Sequence, residues 1–140
     1  MSCTFCAIVA GDIVSSHVYG DDRVVAFLDI AAATPGHLLV IPRQHSPSLE
    51  SLNPEDAARM MVVAQALSTA LRESGLPADG VNLMLSDGAA AGQEVPHVHL
   101  HVIPRSTSDG FDVTARFGHP QRNTLDTQAA QIRSALAAHF

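Results

Sequence analysis

The 140-residue sequence predicts an α+β domain built on an antiparallel β-sheet, with one long helix and a second helix near the C-terminus. Three observations carry that prediction. Short apolar runs rich in Val, Ile and Leu, each bounded by Gly, Pro or Asp, have the length and punctuation of strands. One segment after Asn53-Pro54 repeats its apolar residues at three- and four-residue steps, which is helical spacing. Only a short stretch of small residues separates the runs Val24–Leu28 and His37–Ile41, so no crossover helix fits between them and an antiparallel pair is favoured.

Taken in order, Cys3-Thr4-Phe5-Cys6 comes first. A redox role for Cys-x-x-Cys needs a strand before it and a helix after it, and with Gly11-Asp12 close behind, neither is expected here. Two readings stay open at this point: half of a metal-ligand set, or two free thiols. His17-Val18-Tyr19 is short and extended, and Gly20-Asp21-Asp22 is a turn. The strand Val24–Leu28 ends at Asp29-Ile30, the run Ala31–Gly36 is a loop, and the strand His37–Ile41 is expected to stop at Pro42. Asn53 caps the long helix, Pro54 takes its first position, and Glu55 and Asp56 meet the positive end of its dipole. Ala57, Met60, Met61, Ala64, Leu67 and Leu71 form the expected core stripe, and Gly75 with Pro77 ends the helix. Val81–Leu85 is a further strand, followed by Ser86–Gln93, a loop of mostly small residues whose backbone can approach a ligand. Phe111–Arg122 lacks a period, and Leu125, Ala129, Ile132 and Leu136 mark a helix starting near Thr124.

Composition narrows the function. A net charge of −6 with no basic cluster argues against a surface that tracks nucleic acid polymers, although a single nucleotide in a pocket needs only a few local donors. No run of 18 apolar residues suggests a membrane helix, and no export signal is recognisable, so a cytoplasmic protein with reduced thiols is expected.

The chemistry concentrates in His97-Val98-His99-Leu100-His101-Val102-Ile103. On a strand the three histidines point one way, spaced roughly 7 Å apart, and the apolar residues point to the core. Two uses compete for such a row. A His-x-His pair can bind one metal ion, or one imidazole can act as a nucleophile while a neighbour moves protons. A neutral imidazole is nucleophilic at neutral pH when its second nitrogen donates to a carbonyl. Backbone amides of the Gly88–Gln93 loop are candidates for holding phosphoryl charge.

This heptapeptide resembles the signature of the histidine triad family. So do Cys3-x-x-Cys6, Ala26–Ile30, Pro35–Pro42 with His45, and Asp87-Gly88 with Gly92-Gln93, which together cover residues 1–106 of one domain spanning 1–140; the loop and helix of 107–140 carry little of the likeness. The resemblance implies an α+β fold, a homodimer, and a hydrolase or nucleotidyl transferase that cleaves nucleoside 5′-monophosphate derivatives of the adenosine phosphoramidate type through a nucleotidyl-histidine. It implies catalytic roles for His99 as nucleophile, His101 beside the departing group, and His37 behind them. It also implies a nucleotide site formed by Phe27, Asp29, Ile30, Ser86, Gln93 and His101. A structural zinc on Cys3, Cys6, His45 and His97 follows from some bacterial members, and no organic cofactor is implied. A dinucleoside polyphosphate hydrolase, a non-catalytic nucleotide-binding module and a metalloenzyme are the alternatives. Two positions depart from the family pattern: Ser86 stands where an amide side chain is common, and Glu94 where a hydroxyl is. Glu94 is therefore expected to turn away from the phosphate, since an ionised carboxylate cannot donate to it.

Overall fold

The computed structural model describes residues 2–140, and its elements follow from local chemistry. Helix α1 (Thr4–Ala10) is opened by Cys3, whose Sγ accepts from the Cys6 N–H at 3.5 Å, and closed by Gly11 at φ +82°. Sequence reading expected no helix here. The Gly11-Asp12 pair that looked like an interruption is the left-handed cap that ends one. Strands β1 (His17–Gly20), β2 (Val24–Leu28) and β3 (Leu38–Pro42) follow, then α2 (Pro54–Glu73), β4 (Gly80–Leu85), β5 (Leu100–Arg105) and α3 (Arg122–Leu136). The five strands form one sheet in the order β1-β2-β3-β5-β4, and every neighbouring pair is antiparallel. This is the expected α+β architecture, with the histidine strand inside the sheet between β3 and β4.

Each face of the sheet has its own core. On one face Val24, Ala26, Leu38, Val40, Val98 and Val102 pack against Met60, Val63, Ala64, Leu67 and Leu71 of α2. Each large side chain among them contributes about 1.5–3 kcal/mol on burial. On the other face Val25, Phe27, Leu39 and Ile41 pack with Phe5 of α1. Alternation along each strand divides the two sets.

The α2 stripe differs from the expected one. Ala57 and Met61 face solvent, whereas Val63 and the carboxylate Asp56 are turned inward. Asp56 tolerates burial because Arg23 donates to it at 2.7 Å. Pro42 closes β3 rather than stopping it one residue earlier, pairing with Val24 at the end of the ladder, where its missing N–H costs little. Strand β5 starts at Leu100, so His97–His99 lie outside the ladder; the Val98 N–H instead donates to the Ser46 carbonyl at 2.7 Å. Helix α3 begins at Arg122, and none of its residues is buried. No helix among the described residues is long and apolar enough to cross a membrane.

Candidate active site

His37 enters from a tight turn. Gly36 adopts φ +89°, and a Cβ there would come within 2.9 Å of Leu76 Cδ1. Thr34 Oγ1 anchors the turn by donating to the Pro104 carbonyl at 2.7 Å. The turn then sets a tautomer: the Ala33 N–H donates to His37 Nδ1 at 3.0 Å, so neutral His37 carries its proton on Nε2. That N–H donates to His101 Nδ1 at 2.9 Å, which leaves the His101 proton on its own Nε2. Asp29 stands beside the pair, its Oδ2 3.6 Å from His37 Nε2 and 3.9 Å from His101 Nδ1. The ligand atoms of these three residues are close enough to hold a metal. His37 Nε2 and His101 Nδ1 are spent on each other, however, so neither is free to ligate one.

His99 is set by a different carbonyl. Its Nδ1–H donates to the His97 backbone oxygen at 2.8 Å, so the neutral ring keeps a bare lone pair on Nε2. Phe5 packs edge-on against this ring with centroids 5.2 Å apart, and His101 lies 5.1 Å away on the other side. In register with His101 are Leu39 on β3 and Met84 on β4, which help to desolvate it. Burial, with smaller contributions from His99 and His37, lowers the His101 pKa to about 4. Burial also lowers that of His37, against the pull of Asp29.

His97 turns to a separate cluster. Its Nε2–H donates to the Pro42 carbonyl at 2.8 Å. Its Nδ1 lone pair is thereby aimed at two sulfurs, 3.4 Å from Cys3 Sγ and 3.5 Å from Cys6 Sγ. His45 Nδ1 lies 3.3 Å from Cys6 Sγ, and all four ligand atoms fall within 4.8 Å of one another. Two sulfurs and two imidazole nitrogens this close fit a tetrahedral metal ion. Burial, reinforced by Cys3, raises the Cys6 pKa, so a metal would displace protons on binding. Desolvation lowers the His97 pKa, which keeps its lone pair free.

His37, His101 and His99 open into a cleft of about 730 Å³. Its walls include Phe27, Leu28, Asp29 and Ile30 on one side and Ser86, Gly92 and Glu94 on the other. Gln93 behaves differently from expectation: its amide nitrogen donates to the Pro47 and Val95 carbonyls, and its oxygen accepts from the Gly88 N–H. The loop amides are also engaged at home, since Ala91, Gly92 and Gln93 donate to carbonyls of the loop itself. Its backbone therefore offers less to a phosphate than its composition suggests. Glu94 lies at the wall of the cleft and is exposed to solvent. Phe5, Ile8 and Met84 were missed as cleft residues; the first two lie on the unforeseen α1, and the third could have been found from the β4–β5 register.

A HIT domain family model matches residues 10–108. The chain belongs to the HIT family. Among solved HIT structures, the zinc-bound histidine triad protein from Mycobacterium smegmatis is 44% identical, with 96% of this chain and 98% of that one covered and a TM-score of 0.75. The histidine triad nucleotide-binding protein from Candida albicans is 27% identical over 99% of this chain and 100% of its own, with a TM-score of 0.89. An Arabidopsis thaliana relative described as an adenylylsulfatase, HINT3, is 34% identical across 99% of this HIT chain and 69% of its own length.

Proposed function

We propose that this HIT protein is a nucleotidyl hydrolase acting on nucleoside 5′-monophosphate derivatives of the adenosine phosphoramidate type. One observation carries the reading: the His97 carbonyl holds the Nδ1–H of His99, which leaves Nε2 bare in a cleft large enough for a nucleotide. The likeness to a nucleotide-binding protein and to a relative named for an adenylyl compound supports it.

In the first step His99 Nε2 attacks the α-phosphorus, the phosphorus–nitrogen bond breaks, and the amine departs with a proton taken from solvent while the His101 Nε2–H donates a hydrogen bond to the departing nitrogen. The His99 ring gains positive charge as its bond to phosphorus forms, which accounts for the charge of the solvent proton consumed. His37 Nε2–H holds His101 Nδ1 and so keeps the His101 proton on Nε2. In the second step water attacks phosphorus, the bond to His99 Nε2 breaks, and the second water proton returns to solvent. Phe27 and Ile30 take the nucleoside, Asp29 the ribose hydroxyls, and Ser86 a phosphoryl oxygen. Gln93 serves as a loop brace.

Zinc on Cys3, Cys6, His45 and His97 belongs to the same proposal, supported by the donor set and the zinc-bound neighbour. Such an ion would be structural, tying the N-terminal helix to the histidine segment, and the thiols that bind it suit a reducing cytoplasm. A homodimer is proposed as well, with exposed Met61, Val62 and Leu83 as apolar surface to cover. Light scattering that finds a particle of one chain mass contradicts the dimer.

Phosphorus NMR of the products tests the activity. Adenosine phosphoramidate should yield AMP and free amine. Cleavage confined to dinucleoside polyphosphates moves the reading to that branch, and no turnover across the panel with His99 intact makes the protein a binding module.

A further inference from the structure

A nucleotide derivative brings negative oxygens, yet no cationic side chain lines the cleft. The sequence has no lysine, and all eight of its Lys and Arg residues are arginines. Arg23, Arg59 and Arg105 pair with carboxylates, Arg43 donates to the Asp21 carbonyl, and Arg72 to Ser68. Arg116, Arg122 and Arg133 lie in the exposed C-terminal segment. Burial keeps His37 and His101 neutral near pH 7, so these imidazoles add no positive charge.

Two carboxylates do line the cleft, and they differ in what they are free to do. Asp29 is engaged: Oδ1 accepts from the Ala31 N–H at 2.9 Å, and Oδ2 faces the His37–His101 pair. Glu94 is exposed, and among the described residues it has neither a hydrogen bond nor an ion pair. Its position is nonetheless held. Gln93 is pinned on one side by three backbone groups, and on the other side the chain runs through Val95 and Pro96 into fully buried His97. Glu94 also has a definite side. Asp29 and Ile30 follow β2, whereas Glu94 lies on the connection from β4 to β5, and β3 and β5 separate β2 from β4 in the sheet. The apolar β2 wall suits a nucleoside, which leaves the Glu94 wall to the departing group.

We propose that Glu94 is a specificity-determining residue that selects nucleotidyl derivatives whose departing amine carries a second, positively charged group, as a diamine or a lysine-type side chain does. Departing groups bearing further phosphates or carboxylates meet two carboxylates with no counter-cation, and are disfavoured. This rests on the nucleotidyl hydrolase reading. A partly exposed ion pair is worth at most a modest factor, and added salt weakens it.

The test uses three chain-matched adenosine 5′-phosphoramidates, made from 1,4-diaminobutane, butylamine and 4-aminobutyrate. Their kcat/KM and dissociation constants are measured for the wild-type protein and for Glu94→Gln at low and high salt. The wild type should rank the ammonium tail first and the carboxylate tail last, with about a fivefold step between the ammonium and alkyl tails that shrinks as salt rises. Glu94→Gln should collapse that ratio to about twofold or less. A ratio that survives in Glu94→Gln, or a wild-type protein indifferent to the tail, overturns the proposal. If none of the three is hydrolysed, the hydrolase reading fails, and the ranking of dissociation constants still decides the role of Glu94.

Discussion

Two imidazole clusters share one short run of chain, and they differ in what their neighbours leave free. His97 donates through Nε2 to the Pro42 carbonyl and presents Nδ1 to two thiols. Two residues on, His99 donates through Nδ1 to the His97 carbonyl and presents Nε2 to an open cleft. The residue type is the same, but opposite nitrogens are left to face the neighbours. A backbone carbonyl makes the choice in each case, because it can only accept and so fixes where the proton sits. Partners then differ: soft sulfur surrounds the first imidazole and suits a metal ion, whereas the second stands beside the His37–His101 pair and Asp29. Phe5 joins them, packing edge-on against His97 at 5.9 Å and His99 at 5.2 Å.

Substitution of the imidazoles in the cleft should separate the clusters most sharply. His99→Ala should lower phosphoramidate turnover by at least about four orders of magnitude, as loss of a nucleophile does, while zinc content stays unchanged. His101→Ala should cost less, about two to three orders, since it hydrogen-bonds the departing nitrogen without forming the bond. Equal losses in the two variants would merge their roles. Phe5→Ala tests the shared wall: denaturant unfolding should show about 3 kcal/mol of lost stability, with turnover and metal content both reduced. A variant that lost only one of the two functions would show that the clusters are independent.

The pH dependence also distinguishes them. His101 is held neutral, with its pKa lowered to about 4 from the ordinary 6.5. The unfolded chain therefore binds more protons in that window, so the contribution from His101 is complete above about pH 6.5 and is lost as pH falls toward 4. His37 shifts in the same direction. Thermal unfolding should accordingly begin to lose stability below about pH 6.5, and His101→Phe should flatten part of that slope. An unchanged slope would remove the buried neutral pair from the account. The smallest effect on chemistry is expected from the thiol cluster. Cys6→Ser should cut zinc in protein purified without chelator from about one equivalent to below about a tenth, and change kcat only about threefold. Wild-type protein that itself carries less than about a tenth of an equivalent would remove zinc from the reading.

Much of this comparison was legible in the sequence. Alternation along an extended segment is a geometric necessity, so three histidines on one face and Val98 and Val102 in the opposite core could be read directly. What lay hidden depends on partners distant in the chain. Helix α1 has no Ser, Asp or Asn cap, and a cysteine fills that place. The inward turn of Asp56 depends on Arg23, 33 residues away, and no periodicity reports that pair. Glu94 lies between Gly92, at φ +92°, and Pro96, where alternation breaks down, so only the structure places it at the cleft wall. Gln93 shows the limit of motif matching, since the motif aligned the residue but its three backbone partners are what give it its task.

The central claim is that His99, and not a metal-bound water, attacks phosphorus. Rapid quenching of the protein with an adenosine phosphoramidate, followed by peptide mass analysis, tests it most directly. The account predicts a single adenylyl group on the peptide carrying His99, formed and consumed at rates compatible with turnover and absent in His99→Ala. Turnover by His99→Ala within tenfold of the parent, with no adenylyl peptide trapped in either protein, would contradict it.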